Sequence, residues 1–257
     1  MPDVSATTVP EKPKNPITWG PISAVIVTVV VYFLAQFLGS IAIILVGKGQ
    51  GFNHAQLLAW VDQTGPQFFY TALVEGLTLG ILWLFLKHRK ASFKTLGLTK
   101  PQIKDLAYVG LGFVMYFPIL IGVLGAAKLW FPQLNLEQQQ QIGFHSAHGL
   151  ALVVVFISLV VLPPISEEIL TRGFLFLGLK TKLPVFWAAI VASSIFASAH
   201  LQAGSGAPLL WAAAIDTFVL SMVLVFLRQK TGRLWAGIGL HMLKNCIAFA
   251  ALFIFMS

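Results

Sequence analysis

The sequence predicts an all-α fold, a polytopic transmembrane helical bundle of about seven (7–8) spanning helices. Three observations carry that expectation. Hydrophobic residues make up 57% of the 257-residue chain and charged residues 10%, where soluble domains run near 45–50% and about 25%. A soluble globule could not coat itself with so few charges, and a disordered chain would be poor in apolar residues. The apolar residues fall into runs of membrane-crossing length. The basic excess, 17 Lys and Arg against 9 Asp and Glu, collects in a few loops between those runs. In a soluble protein it would suggest nucleic acid. Here it orients helices, so the bilayer is the expected partner and nucleic acid is not.

The elements follow in order. Residues 1–17 are polar, with Pro2, Pro10, Pro13 and Pro16, and read as a flexible tail. Residues 18–257 read as one membrane-embedded helical domain, with its motif-bearing core over 149–257. The first apolar run, about 21–46, is too long for a signal-peptide core and has no small-residue cleavage site, so it is expected to be a retained span. Residues 52–63, with Trp60, form a short amphipathic stretch expected to rest on the surface. Further spans are expected at about 67–86, 106–131, 149–179, 184–201, 208–227 and 234–256. At 1.5 Å per residue each approaches or crosses a roughly 30 Å hydrocarbon core. The run 184–201 is the shortest. The run 149–179 is too long and is interrupted by Pro163-Pro164, so it is expected to be one broken or tilted crossing. The glutamine run 138–141 is a polar outer loop. Cys246 stands alone, so no intramolecular disulfide forms.

Loop charge checks the topology. Lys87, Arg89, Lys90, Lys94, Lys100 and Lys104 share one loop, Lys180 and Lys182 another, and Arg228, Lys230 and Arg233 a third. The alternate loops hold almost no basic residues. With Lys12 and Lys14 of the tail inside, seven crossings place every basic loop in the cytoplasm. Trp19, Trp83, Trp130, Trp187, Trp211 and Trp235 fall near expected span ends, as interfacial anchors do.

An ionisable residue at mid-bilayer costs roughly 2.5–3.5 kcal/mol on insertion scales, so each needs a reason. Three patterns stand out. In Glu167-Glu168-Ile169-Leu170-Thr171-Arg172, Glu168 and Arg172 are four apart and can pair on one helical face. Glu167 points away and has no local partner. If the helix restarts at Pro164, Glu167 sits in its first turn, facing the helix dipole. In Phe196-Ala197-Ser198-Ala199-His200, the aromatic ring and the imidazole are again four apart on a small-residue helix. In His241-Met242-Leu243-Lys244-Asn245, His241 and Asn245 project from one face of an apolar helix. Each pattern alone also reads as a structural salt bridge, a helix-end histidine or an interhelical hydrogen bond. Counted from the cytoplasmic ends, Glu167, Asn245 and His200 lie roughly 15–25 Å deep and His241 roughly 10 Å, so they can meet. One Glu and one His can activate water, while the other His and the Asn stabilise an oxyanion. The matching reaction is amide hydrolysis within the bilayer. Lys244 needs a cavity or an acid. Glu75 and Asp216 belong to no pattern, and either line the cavity or pair with Lys244 or Arg172.

These patterns, in this order, resemble the CAAX prenyl protease/bacteriocin-processing (CPBP, or Abi) family of intramembrane proteases, whose signature is E-E-x-x-x-R, F-x-x-x-H and H-x-x-x-N. Arg172-Gly173-Phe174 and Thr231-Gly232-Arg233-Leu234-Trp235 are also similar to the family. The resemblance covers about 160–250. It implies a helical-bundle endopeptidase with a membrane-embedded cavity. Glu167 would activate water with His200 beside it, His241 and Asn245 would form the oxyanion site, and Glu168 and Arg172 would support the first motif. No H-E-x-x-H is present, and no cofactor is certain. Glu167, His200 and His241 are the fallback ligands for a divalent metal such as zinc, with an open position.

The expected function is therefore an intramembrane endopeptidase acting on a membrane-associated peptide or protein. The short loops look bacterial, which points to the cytoplasmic membrane and favours a peptide or membrane protein over a prenylated tail. Two alternatives stand beside it. One is a non-catalytic immunity or scaffold protein of the same fold; the presence of both Glu167 and His241 argues against it. The other is a small-solute transporter relaying through Glu75, Asp216 and Lys244; the lack of an internal repeat argues against that. The sequence leaves the oligomeric state open.

Overall fold

A backbone inside a bilayer has no water to satisfy it, so apolar runs of this kind bond internally as helices. The computed structural model describes residues 17–137, 143–144, 147–202 and 208–255. Apart from Ile17, the polar tail lies outside these residues, as does the glutamine run 138–141. The described residues form helices and no strand. They are α1 (Pro21–Gly49), α2 (His54–Val61), α3 (Thr64–His88), α4 (Ile103–Trp130), α5 (Ala151–Lys180), α6 (Val185–Ser198), α7 (Trp211–Thr231) and α8 (Trp235–Phe255). Six of them are long and apolar enough to cross a membrane. The seventh expected span, α6, has 14 residues, about 21 Å of rise. The amphipathic stretch is the short helix α2. It is started by a reciprocal cap in which Asn53 and Gln56 each accept the other's backbone N–H at 2.9 Å.

Helix α5 is the axis of the bundle. Helices α1 and α3 lie along one side of it and α6, α7 and α8 along the other, while α4 packs on α7 and α8. The Pro163-Pro164 pair does not break this crossing. The helix widens to π geometry over Ile157–Val161, runs as α over Leu162–Glu168, and widens again over Ile169–Leu175. The wider turn relieves the clash that a proline ring makes with the carbonyl four residues back. Because the α segment begins at Leu162, Glu167 lies beyond its first turn. The expected position at a restarted helix N-terminus is thereby corrected.

Cross-helix contacts sort the loops onto two faces. Thr18 Oγ1 donates to the Arg89 carbonyl at 3.2 Å, Lys180 Nζ donates to Gln229 Oε1 at 3.1 Å, Arg228 Nη2 donates to the Leu96 carbonyl at 3.0 Å, and Arg233 pairs with Asp105 at 2.6 Å. The three basic loops therefore meet on one face. On the opposite face, the Phe144 N–H donates to Gln67 Oε1 at 2.7 Å. Lys128, at the end of α4, donates to the Pro132 and Leu134 carbonyls. Seven alternating crossings give this arrangement. The apolar residues left on the outside, such as Phe33, Ile121 and Trp130, suit a lipid-facing surface. The chain is an integral, multi-pass membrane protein.

Trp19 departs from its expected interfacial role. It is 3% exposed, stacks on Phe174 at 4.9 Å and donates its indole N–H to the Phe174 carbonyl at 3.2 Å. Gly178 makes the room, since a Cβ there would lie 2.7 Å from the Trp19 ring and 2.5 Å from Ala24.

Candidate active site

Glu167 and Glu168 sit on the α segment between the two π turns of α5. Their side chains leave the helix about 100° apart, so they meet different neighbours. Glu168 is fully buried. Its Oε1 accepts from Arg172 Nη1 at 2.8 Å, the pairing that the four-residue spacing predicts. The same oxygen lies 3.2 Å from His241 Nδ1 on α8. A charge pair this deep costs desolvation and stands only with further partners. The Arg172 guanidinium supplies some of them. Nη1 also donates to Thr171 Oγ1 at 2.7 Å, and the guanidinium carbon Cζ lies 4.3 Å from the centroid of the Phe196 ring on α6, within cation–π range.

That ring joins the other two motifs. It stands edge-on to His200 at 4.9 Å and to His241 at 6.1 Å. The four-residue spacing of Phe-x-x-x-His thus puts an aromatic platform between Arg172 and both imidazoles. The His200 Nδ1 lies 3.1 Å from the Phe196 carbonyl. A carbonyl only accepts, so Nδ1 carries the hydrogen and Nε2 is the free edge. In His241, Nδ1 is turned to Glu168, and Nε2 lies 3.7 Å from Glu167 Oε2. Glu168 thereby fixes which edge of the imidazole meets Glu167.

Glu167 is less buried than its neighbour, with 29% of its side chain exposed. It lines two adjoining cavities that also share Tyr32 and Leu170. One, of about 220 Å³, contains Thr28, Thr171, Phe196 and His200. The other, of about 200 Å³, contains Gln36, Tyr70, Glu75 and Ser166. His200 follows the end of the short helix α6 by two residues.

Asn245 is turned differently from its partner motif residues. Its Nδ2 donates to the Leu159 carbonyl at 3.0 Å, and among the described residues it makes no hydrogen bond to Glu167, His200 or His241. The prolines account for this. The α-helical donor for Leu159 is residue 163 and the π-helical donor is residue 164, and neither has an N–H. Asn245 fills the vacancy with one of its two amide hydrogens and keeps the second.

The remaining intramembrane charges pair as the sequence allows. Lys244 meets Asp216 at 3.1 Å, which also accepts from the Tyr116 hydroxyl. Glu75 accepts from the Ser166 hydroxyl. Sequence reasoning had no signal for Tyr32, Tyr116, Ser166 or Gly237, because such residues are unremarkable in apolar runs. A Cβ at Gly237 would lie 2.9 Å from Glu168 Oε2, so α8 approaches the buried carboxylate through a glycine. Among the described residues no group of three or more His, Cys, Asp or Glu is gathered closely enough to hold a metal ion. The fallback ligands Glu167, His200 and His241 do not form such a group.

The helical bundle thus sets the Glu167 carboxylate and the His200 imidazole on one cavity, with His241 beside Glu167. Residues 149–247 match the family model described as Type II CAAX prenyl endopeptidase Rce1-like. That segment carries all three motifs and is similar to the family at this level, while residues 1–148 lie outside the match. No curated protein and no solved structure matches the chain.

Proposed function

We propose that the protein is an intramembrane endopeptidase that hydrolyses a peptide bond of a membrane-associated peptide or protein. The observation that carries this reading is the meeting of the three motifs around Glu167: it lines one cavity with His200, and His241 Nε2 stands 3.7 Å from its Oε2. Glu168, Arg172 and Phe196 hold them from behind. Glu167 takes a proton from water as the water oxygen bonds to the scissile carbonyl carbon, with His200 across the same cavity. The carbonyl oxygen becomes an oxyanion and is met by the His241 edge and the second N–H of Asn245. As the C–N bond breaks, the proton held by Glu167 passes to the leaving amine. Arg172 and Glu168 touch no reacting atom; they orient His241. The basic loops and the N-terminus lie on the cytoplasmic side, as the positive-inside rule requires, in a bacterial cytoplasmic membrane.

The test is cleavage in proteoliposomes by the full chain and by Glu167→Ala and His241→Ala. The substrates are a prenylated quenched-fluorescent peptide and single-span membrane proteins. Loss of activity in both variants supports the reading. Processing at the parental rate by both variants refutes it.

A further inference from the structure

Glu75 lies on α3, outside the segment that matches the family model and outside all three motifs. It sits 11 residues from Thr64 and 13 from His88, about 17 and 20 Å from the two helix ends. An acid at that depth is costly and marks a function by default. Its carboxylate accepts from the hydroxyl of Ser166, which is fully buried and directly precedes Glu167.

The backbone around Ser166 explains why such a contact has leverage. Ser166, Glu167 and Glu168 ride on a seven-residue α segment with a π turn at each end. At those turns the regular i to i−4 ladder is interrupted, so the segment's rotation about its axis is not inherited from a continuous helix. Side-chain anchors must set it. Ser166 and Glu168 project about 200° apart. Glu168 is held by Arg172 and His241 on one side, and Ser166 is held by Glu75 on the other. Glu167 falls between the two anchors and faces the cavities. The titratable groups facing Glu75 are Glu167, Tyr32 and Tyr70, all on the same cavity wall.

We propose that Glu75 is a positioning residue for this site: through Ser166 it sets the rotation of the α5 segment that presents Glu167. The inference rests on the endopeptidase reading for its kinetic consequence, but not for its structural one. Two measurements test it. In the proteoliposome assay, Glu75→Ala and Ser166→Ala should each lower kcat by about 10²-fold, the loss that a 1 Å misplacement brings. KM and thermal stability stay within twofold and within a few degrees of the parent. The double variant should be no worse than either single. Glu75→Gln, which keeps a partner for the hydroxyl, should recover most of the rate. Additive losses, or a Glu75→Gln as inactive as Glu75→Ala, overturn the proposal.

The second measurement needs no substrate. In a Cys246→Ala background, the labelling rate of Glu167→Cys by a small thiosulfonate reports the rotation of the segment. Glu75→Ala and Ser166→Ala should each slow it severalfold and Glu75→Gln should not; an unchanged or faster rate overturns the proposal. If Glu167→Ala itself cleaves like the parent, the endopeptidase reading fails, and the labelling rates still decide the role of Glu75.

Discussion

Replacing Asn245 by alanine separates two roles that one side chain combines. One amide hydrogen satisfies the Leu159 carbonyl, and the second is proposed to meet the oxyanion. Losing the first leaves a partly buried acceptor unpaired, at about 1 kcal/mol and at most about 3; interhelical bonds in membranes average about 0.6 and reach about 1.7. Losing the second costs about 10²–10³ in kcat if the donor acts as an oxyanion hole. The orphan carbonyl exists because residue 163 is proline, so Pro163→Ala supplies the missing N–H four residues on. In the Asn245→Ala background, Pro163→Ala should therefore restore about 1 kcal/mol of stability. In the parent it competes with Asn245 and gains little. Reversible unfolding in mixed micelles across the four proteins gives the coupling, and the same four are assayed for cleavage. Stability should return in the double variant and activity should not. If the two substitutions add within about 0.5 kcal/mol, Asn245 does not replace the proline's absent donor and the reasoning fails.

Further outcomes follow from the same geometry. Gly237→Ala drives a methyl against Glu168 Oε2; because Arg172 and His241 hold that carboxylate, it cannot yield cheaply, so the variant should lose about 1–3 kcal/mol together with most of its kcat. Gly178→Ala collides with Ala24 and Trp19 and should cost a similar amount in unfolding, while activity per folded molecule stays at the parental level. Glu168→Gln strands the fully buried Arg172 without its counter-charge and should cost about 3–5 kcal/mol, visible as poor yield and a depressed Tm. Activity should survive extended chelation; if a chelator abolishes it and zinc restores it, the metal-free reading of Glu167 is wrong.

How much was legible in the sequence depends on the range of the interaction. The Glu168/Arg172 pair and the Phe196/His200 contact are four residues apart on one helix, and a 3.6-residue repeat places them together wherever the helix goes. The meeting of Lys244 with an acid was likewise legible as a need, because a lone ammonium in the bilayer must find one. Asp216 and Glu75 were both legible as candidates, but the choice of Asp216 was not, since both acids lie on other helices. Trp19 shows the limit of positional rules: a tryptophan at a span end was expected at the interface, but the groove beside Gly178 buries it instead. The proline pair was legible as an irregularity, yet widening to π geometry rather than breaking depends on neighbours that satisfy the released carbonyl.

The sequence by itself determined the helices, their approximate ends, the odd number of crossings and the gathering of basic loops on one face. Hydropathy and loop charge act locally, against a bilayer that is the same for every segment. It also named the polar residues that need a partner. The tertiary structure alone decided who those partners are: His241 with Glu168, Asn245 with the Leu159 carbonyl, Glu75 with Ser166. Each joins residues far apart in the chain, and their meeting is set by helix packing and by the rotation of a short turn in α5, neither of which is written in any single run of residues.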